Sequence, residues 1–105
     1  MAVAENDVPA GYYHLRTAVE FYIKGILQID ISTKVDGTEL CDQYNERLDA
    51  RLKAGFPSMS TIYQGLSEGL HTRSKDAAKF NSLMGQLLDH LKAKQMFEAY
   101  PASME

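Results

Sequence analysis

From residue 8 onward, apolar residues recur at alternating spacings of three and four, through Tyr12, Leu15, Val19, Tyr22, Ile26 and Ile29. That period puts them on one face of an α-helix, with Ala18, Ile23 and Leu27 widening the stripe. Asp7 before Val8 and Pro9 marks the start, because an Asp side chain accepts orphan backbone N–H groups and Pro is tolerated in the first turn. The spacing predicts a helix over 8–29, with Glu20 and Lys24 as a favourable i,i+4 pair on its outer face. The following "IDISTKVDG" is β-branched and loosely alternating, but no other stretch offers a partner strand, so it reads as an extended connection. Asp36-Gly37 turns the chain, and Thr38 or Asp36 caps a second helix. Leu40, Tyr44, Leu48 and Leu52 form its stripe, with Cys41 flanking, and Gly55 and Pro57 stop it, which predicts a helix over 38–54.

Ser58 or Ser60 opens a third helix, expected over 59–72, with Met59, Ile62, Tyr63, Leu66 and Leu70 inward. Gly65 and Gly69 each cost about 1 kcal/mol of helix propensity there. Two glycines four apart imply close backbone approach by a neighbouring helix or a second subunit. Ser74 with Lys75, Asp76 and Ala77 begins the last helix, expected over 75–98. Its stripe of Ala77, Phe80, Met84, Leu87 and Leu91 is broadened by Leu83, Leu88 and Met96. So wide an apolar surface has to bury two faces, which implies a central place in the molecule or a dimer contact. Four amphipathic helices on short connections make an all-α antiparallel four-helix bundle the natural fold, because each stripe needs another to bury against.

Composition narrows the class without naming an activity. The 105 residues amount to one domain, 1–105, whether a whole protein or the C-terminal domain of a longer one. At 45% apolar and 24% charged the chain is ordinary for a globular protein, and no apolar run approaches a membrane span. "MAVAENDVPAG" lacks the basic start and apolar centre of a signal peptide, and a lone Cys41 fits a reducing compartment, so a cytoplasmic location is expected. The net charge of −3, from 11 basic and 14 acidic residues, argues against a dedicated whole-surface binder of nucleic acid. Acidic residues gather over 36–49 and basic ones, including Arg73, Lys75, Lys79, Lys92 and Lys94, over 71–94, which reads as the solvated faces of two amphipathic helices or, alternatively, as a locally basic end of the bundle.

Most candidate chemistry is missing its partners. His14 beside Leu15 and His90 beside Leu91 read as boundary residues of their helices. No two histidines lie at i,i+4 and no cysteine accompanies them, so no zinc ligand set is expected. Glu39, Asp42, Glu46 and Asp49 line one helical face, but no Glu-x-x-His motif supports a di-iron bundle. Neither a P-loop nor a dinucleotide or nucleophile-elbow motif occurs, and no cofactor is expected. Of Tyr12, Tyr13, Tyr22, Tyr44 and Tyr63, all but Tyr13 fall on core stripes, where packing explains them better than base stacking.

Two stretches, "YYHLRTAVEFYIKGIL" in the first helix and "FPSMSTIYQGLSEGLH" leading into the third, resemble the HEPN superfamily of nucleotide-binding helical bundles, over roughly residues 10–97. The resemblance implies a helical bundle, and for active members an endoribonuclease using an Arg followed four to six residues later by His, often R-N-x-x-x-H, from two subunits. In that chemistry the His moves the 2′-hydroxyl or leaving-group proton and the Arg stabilises charge building on the phosphate. With His71 as the histidine, the arginine position is occupied by Leu66 and the asparagine position by Ser67. The nearest arginines in sequence are Arg51 upstream and Arg73 downstream, so the motif is broken in order. Arg16, His14 or Arg73 reaching the site through space would restore the chemistry, since such a site is recognised by geometry.

The reading is therefore a non-catalytic HEPN-like module of the uncharacterised bacterial branch, in a defence or regulatory protein, that dimerises or docks a protein or RNA partner through Gly65, Gly69, Leu83 and Leu88. The alternative is a metal-independent endoribonuclease with His71 and Arg73 as a rearranged catalytic pair. A helical bundle unrelated to that superfamily is the third.

Overall fold

The structure is a computed structural model that describes residues 7–99. It is all-helical, with five helices among the described residues: α1 (Val8–Leu27), α2 (Gly37–Glu46), α3 (Ala50–Gly55), α4 (Met59–His71) and α5 (Ala77–Ala99).

α1 starts where the Pro places it, although the Asp7 side chain makes no capping bond. Its buried line runs Val8, Tyr12, Val19, Ile23 and Leu27, with Leu15, Tyr22 and Ile26 half-buried and Ala18 exposed. The inward face is thus turned toward Ile23 and Leu27 relative to the predicted stripe. The helix stops two residues short of Ile29 because Gln28 takes a left-handed conformation (φ 60°), and Ile29 N–H then donates to the Lys24 carbonyl. Nor is the next segment extended. Asp30 accepts from both the amide and the hydroxyl of Ser32, at 2.8 and 2.6 Å, and Lys24 Nζ donates to the carbonyls of Ile31 (3.2 Å) and Thr33 (2.6 Å), coiling the connection into a turn. Lys24 is therefore a loop clamp and not the surface partner of Glu20.

The helix expected over 38–54 is two helices, α2 and α3. Asp49 breaks it: its carboxylate accepts from the Arg51 amide at 2.8 Å, an N-cap bond that competes with continuing the helix. The Arg51 guanidinium grips the same carboxylate, and these bonds hold the Asp49 carboxyl at about 2. Leu40, Tyr44, Leu48 and Leu52 all remain buried across the break, so the kink re-aims the stripe without exposing it. Ser58 caps α4 by accepting from the Thr61 amide at 3.0 Å, and Asp76 caps α5 by accepting from the Lys79 amide at 3.1 Å.

α4 is the central helix, packed against α1, α2 and α5, while α3 rests on α5. The last helix, for which the sequence left a central place or a dimer contact, also meets three others, α1, α3 and α4. α4 qualifies because it is close-packed at both glycines: a Cβ on Gly69 would overlap the Tyr12 ring of α1, and one on Gly65 would come within 2.8 Å of Leu83 of α5. The glycines lower helix propensity and admit two neighbours instead. The result is flattened, with extents of 50 × 29 × 18 Å.

Candidate functional site

His71 sits exposed at the C-terminal end of α4. With Arg16, Gln64, Ser67, Glu68 and Leu70 it lines a depression of about 520 Å³ between α4 and α1. Leu66 is wholly buried in the core, so the place where the resemblance would put a cation holds a packing residue. Ser67 faces the depression with its hydroxyl enclosed and without a hydrogen-bond partner. Arg73 is exposed, in a left-handed conformation (φ 53°) in the turn after α4, and does not line the depression. Its place is set by the backbone: Ser74 N–H donates to the Gly69 carbonyl and Arg73 N–H to the Leu70 carbonyl, which closes the helix end.

Arg16 is thus the arginine that the fold brings to the His71 depression, and it is already engaged. Its Nε donates to the Tyr63 hydroxyl at 3.2 Å, its guanidinium lies 5.3 Å from the centre of the Tyr63 ring, and it stands 4.0 Å from the Glu20 carboxylate. Tyr63 donates to the same carboxylate at 2.6 Å. Burial first, and that bond second, push the Tyr63 hydroxyl up from its ordinary value, so it stays a donor. Gly37 makes room for the ring, since a Cβ there would overlap it. The group fixes Arg16 in place and offsets much of its charge with Glu20.

His90 is not the boundary residue that its neighbour Leu91 suggested. It is 1% exposed, with Nδ1 3.0 Å from the Pro57 carbonyl and Nε2 2.8 Å from the Tyr44 hydroxyl. The signal was present in the spacing, because Phe80, Leu83, Leu87 and His90 continue one helical face. Burial, and secondarily Lys94, lower the His90 pKa. Cys41 is 1% exposed and its thiol is pushed up to about 11 by burial, which makes it unreactive. His14 is exposed beside Tyr13, at 5.5 Å between ring centres. Among the described residues no three His, Cys, Asp or Glu side chains gather to hold a metal ion, and no helix is long and apolar enough to cross a membrane.

The other notable surface lies where α1 meets α5. Ala18, Val19, Tyr22, Leu87 and Leu91 surround a small depression of about 170 Å³. Leu88 (49% exposed) lies beside it on α5, and Phe21 (50%) lies one turn from Ala18 on α1. Of the four residues expected at a contact, Gly65, Gly69 and Leu83 are occupied within the chain, and Leu88 is the one that offers surface. Comparison with protein-family models, curated proteins and solved structures returns no match for this chain.

Proposed function

We propose that the chain is a non-catalytic helical interaction module that pairs with a second copy through the α1–α5 face. The observation that carries this reading is the character of that face. Ala18, Phe21, Tyr22, Leu87, Leu88 and Leu91 form an apolar patch on which Phe21 and Leu88 are each about half exposed. Two copies with a net charge of −3 each can meet there without opposing like charges. A projecting Leu88 beside an apolar hollow on one surface also suits a two-fold contact, in which each copy supplies both knob and hole. The two stretches that resemble the HEPN superfamily support an antiparallel HEPN-like arrangement and a cytoplasmic regulatory or defence role.

A second reading has one observation in its favour: Arg16 and His71 line the same depression. In it the chain is a metal-independent endoribonuclease with Arg16, or Arg73 swung inward, as the phosphate-binding cation. Against it stands the Glu20 carboxylate, which opposes the charge that the transition state would need. Loss of one such stabiliser typically lowers a rate ~10²–10³-fold. Incubation of the chain with single-stranded RNA in EDTA decides between them. No cleavage above background is expected, and cleavage that His71→Ala and either Arg16→Ala or Arg73→Ala abolish would replace the module with the enzyme.

A further inference from the structure

His90 ties three parts of the molecule together. Its ring reaches the Pro57 carbonyl, at the joint between α3 and α4, at 3.0 Å and the Tyr44 hydroxyl of α2 at 2.8 Å. A carbonyl oxygen only accepts, so Nδ1 carries the ring proton and donates it, and Nε2 accepts from the Tyr44 O–H. With the ring 1% exposed, this neutral form satisfies both nitrogens and leaves no room for another.

α5 is anchored as two halves. In the first, Phe80 meets the Tyr12 ring edge-on at 5.2 Å and Leu83 lies over Gly65 of α4. In the second, Leu87 and Ala93 are buried in the core and Leu91 lies toward α1, and with them come His90 and then Phe97, whose ring lies 5.9 Å from that of Phe56 and 4.5 Å from the Arg51 guanidinium. Between them stands Gly85, an exposed position where a Cβ would meet nothing and where the helix is intrinsically weak. α3 packs on α5, so what holds the second half of α5 also holds α3.

We propose that His90 is an acid-released latch, whose protonation frees α3 and the half of α5 beyond Gly85 while α1, α2, α4 and the first half of α5 stay packed. A protonated ring has two donors. Pro57 remains satisfied, but Nε2–H then points at a hydroxyl that had itself been donating, and Tyr44, wholly buried, has to turn its proton toward Tyr22 of α1. The groups facing the ring are Tyr44 from α2, Tyr22 of α1 behind it at 6.0 Å between ring centres, the Pro57 carbonyl from the α3–α4 joint, and Lys94 one turn along α5. Lys94 repels the new charge, its own partner being Glu98 one turn further along α5, and no carboxylate bonds the ring itself.

The direction with pH follows from linkage. The native ring titrates below the ordinary histidine value of 6.5, so above that value neither state binds the proton and the latch is at full strength. As pH falls below it, the released state takes up a proton that the native state refuses. The opening constant then rises about tenfold per pH unit until the native value is reached.

Native-state hydrogen exchange on the whole chain, from about pH 7 to about pH 5, reads this directly as protection factors corrected for intrinsic exchange. The amides of residues 50–55 and 86–97 are expected to keep their protection above about pH 6.5 and to lose it as the pH falls below that value, while those of 8–27 and 59–70 do not follow. Parallel loss in all helices, or no steeper loss in the two named segments, would overturn the latch. His90→Gln, which keeps an uncharged acceptor toward Tyr44, is expected to remove the pH slope from those segments, and a slope that survives it assigns the effect elsewhere. Should that variant fail to fold, the wild-type His90 ring followed by NMR tests the same point. Its titration is expected to coincide with the loss of protection, and titration without that loss refutes the proposal.

Discussion

At the scale of single residues, four glycines stand where a neighbour fills the space of a Cβ: Gly11 against Phe80, Gly37 against Tyr63, Gly65 against Leu83 and Gly69 against Tyr12. Gly69 has the least tolerance, because the atom it would strike belongs to a ring that is itself wholly buried and edge-on to Phe80. Gly85 has the opposite setting, with open space around it in the middle of α5. The same substitution is therefore expected to act with opposite sign. Gly69→Ala forces the Tyr12 ring aside and is expected to destabilise by about 1 to 3 kcal/mol, as overpacked cores do. Gly85→Ala is expected to stabilise by about 0.5 to 1 kcal/mol through helix propensity. Urea denaturation of the two variants checks both, and equal shifts would mean that α4 does not lie against α1 at Tyr12. The chemistry at His71 is likewise a single-residue matter. From the sequence, Arg16 is only one of several residues able to arrive there through space, because nothing in a one-dimensional pattern records which cation a Tyr and a Glu will hold in place.

Elements are decided by competition between the helix and local side-chain bonds. The stripe Leu40, Tyr44, Leu48, Leu52 reads as one helix, and its burial is unchanged in the structure, yet Asp49 ends one helix and begins another by bonding the Arg51 amide. Asp49→Ala removes the cap and is expected to cost about 1 kcal/mol, read as a shift in the denaturation midpoint. Such a break escapes a reading of the sequence because a capping carboxylate on the outer face looks the same as a solvated one. In α5 the inward face was legible. Leu87 is buried against the rest of the molecule, so Leu87→Ala is expected to cost about 2 to 5 kcal/mol through lost burial and a cavity. Lys79 meets Glu68 at 3.5 Å with both side chains largely exposed, and Lys79→Ala is expected to change stability by less than about 1 kcal/mol. Denaturation curves that place the two side by side would show that the face of α5 is misassigned.

For the whole molecule, the arrangement around α4 leaves the broad apolar surface of α5 incompletely covered, with Leu88 and Met96 about half exposed. That remainder is the basis for expecting association. Light scattering is expected to give twice the chain mass of 11.8 kDa, and Leu88→Lys to return the mass to one chain with an unchanged helical circular dichroism spectrum. A charge placed at the centre of an uncharged contact loses solvation without gaining a partner. A wild-type chain that remains a monomer at tens of micromolar, or a dimer indifferent to Leu88→Lys, would remove the α1–α5 face from the proposal.

The all-helical class, the approximate helix limits and most of the core followed from the sequence alone, since periodicity at three and four is a local property of the chain and burial of one face is its direct consequence. The stop at Gln28 rested on one left-handed residue, and the break at Asp49 and the turn held by Lys24 on which side chain wins a nearby backbone group, local outcomes that apolar periodicity does not record. Tertiary structure decided that α4 lies against both α1 and α5, because that place rests on how closely Gly65 and Gly69 let Leu83 and Tyr12 approach. It likewise made His90 a buried joint by bringing Tyr44 and Pro57, 46 and 33 residues away in the chain, to its two ring nitrogens. Those distances in sequence are the physical reason: polar pairs between helices leave no period for a single stretch of sequence to show.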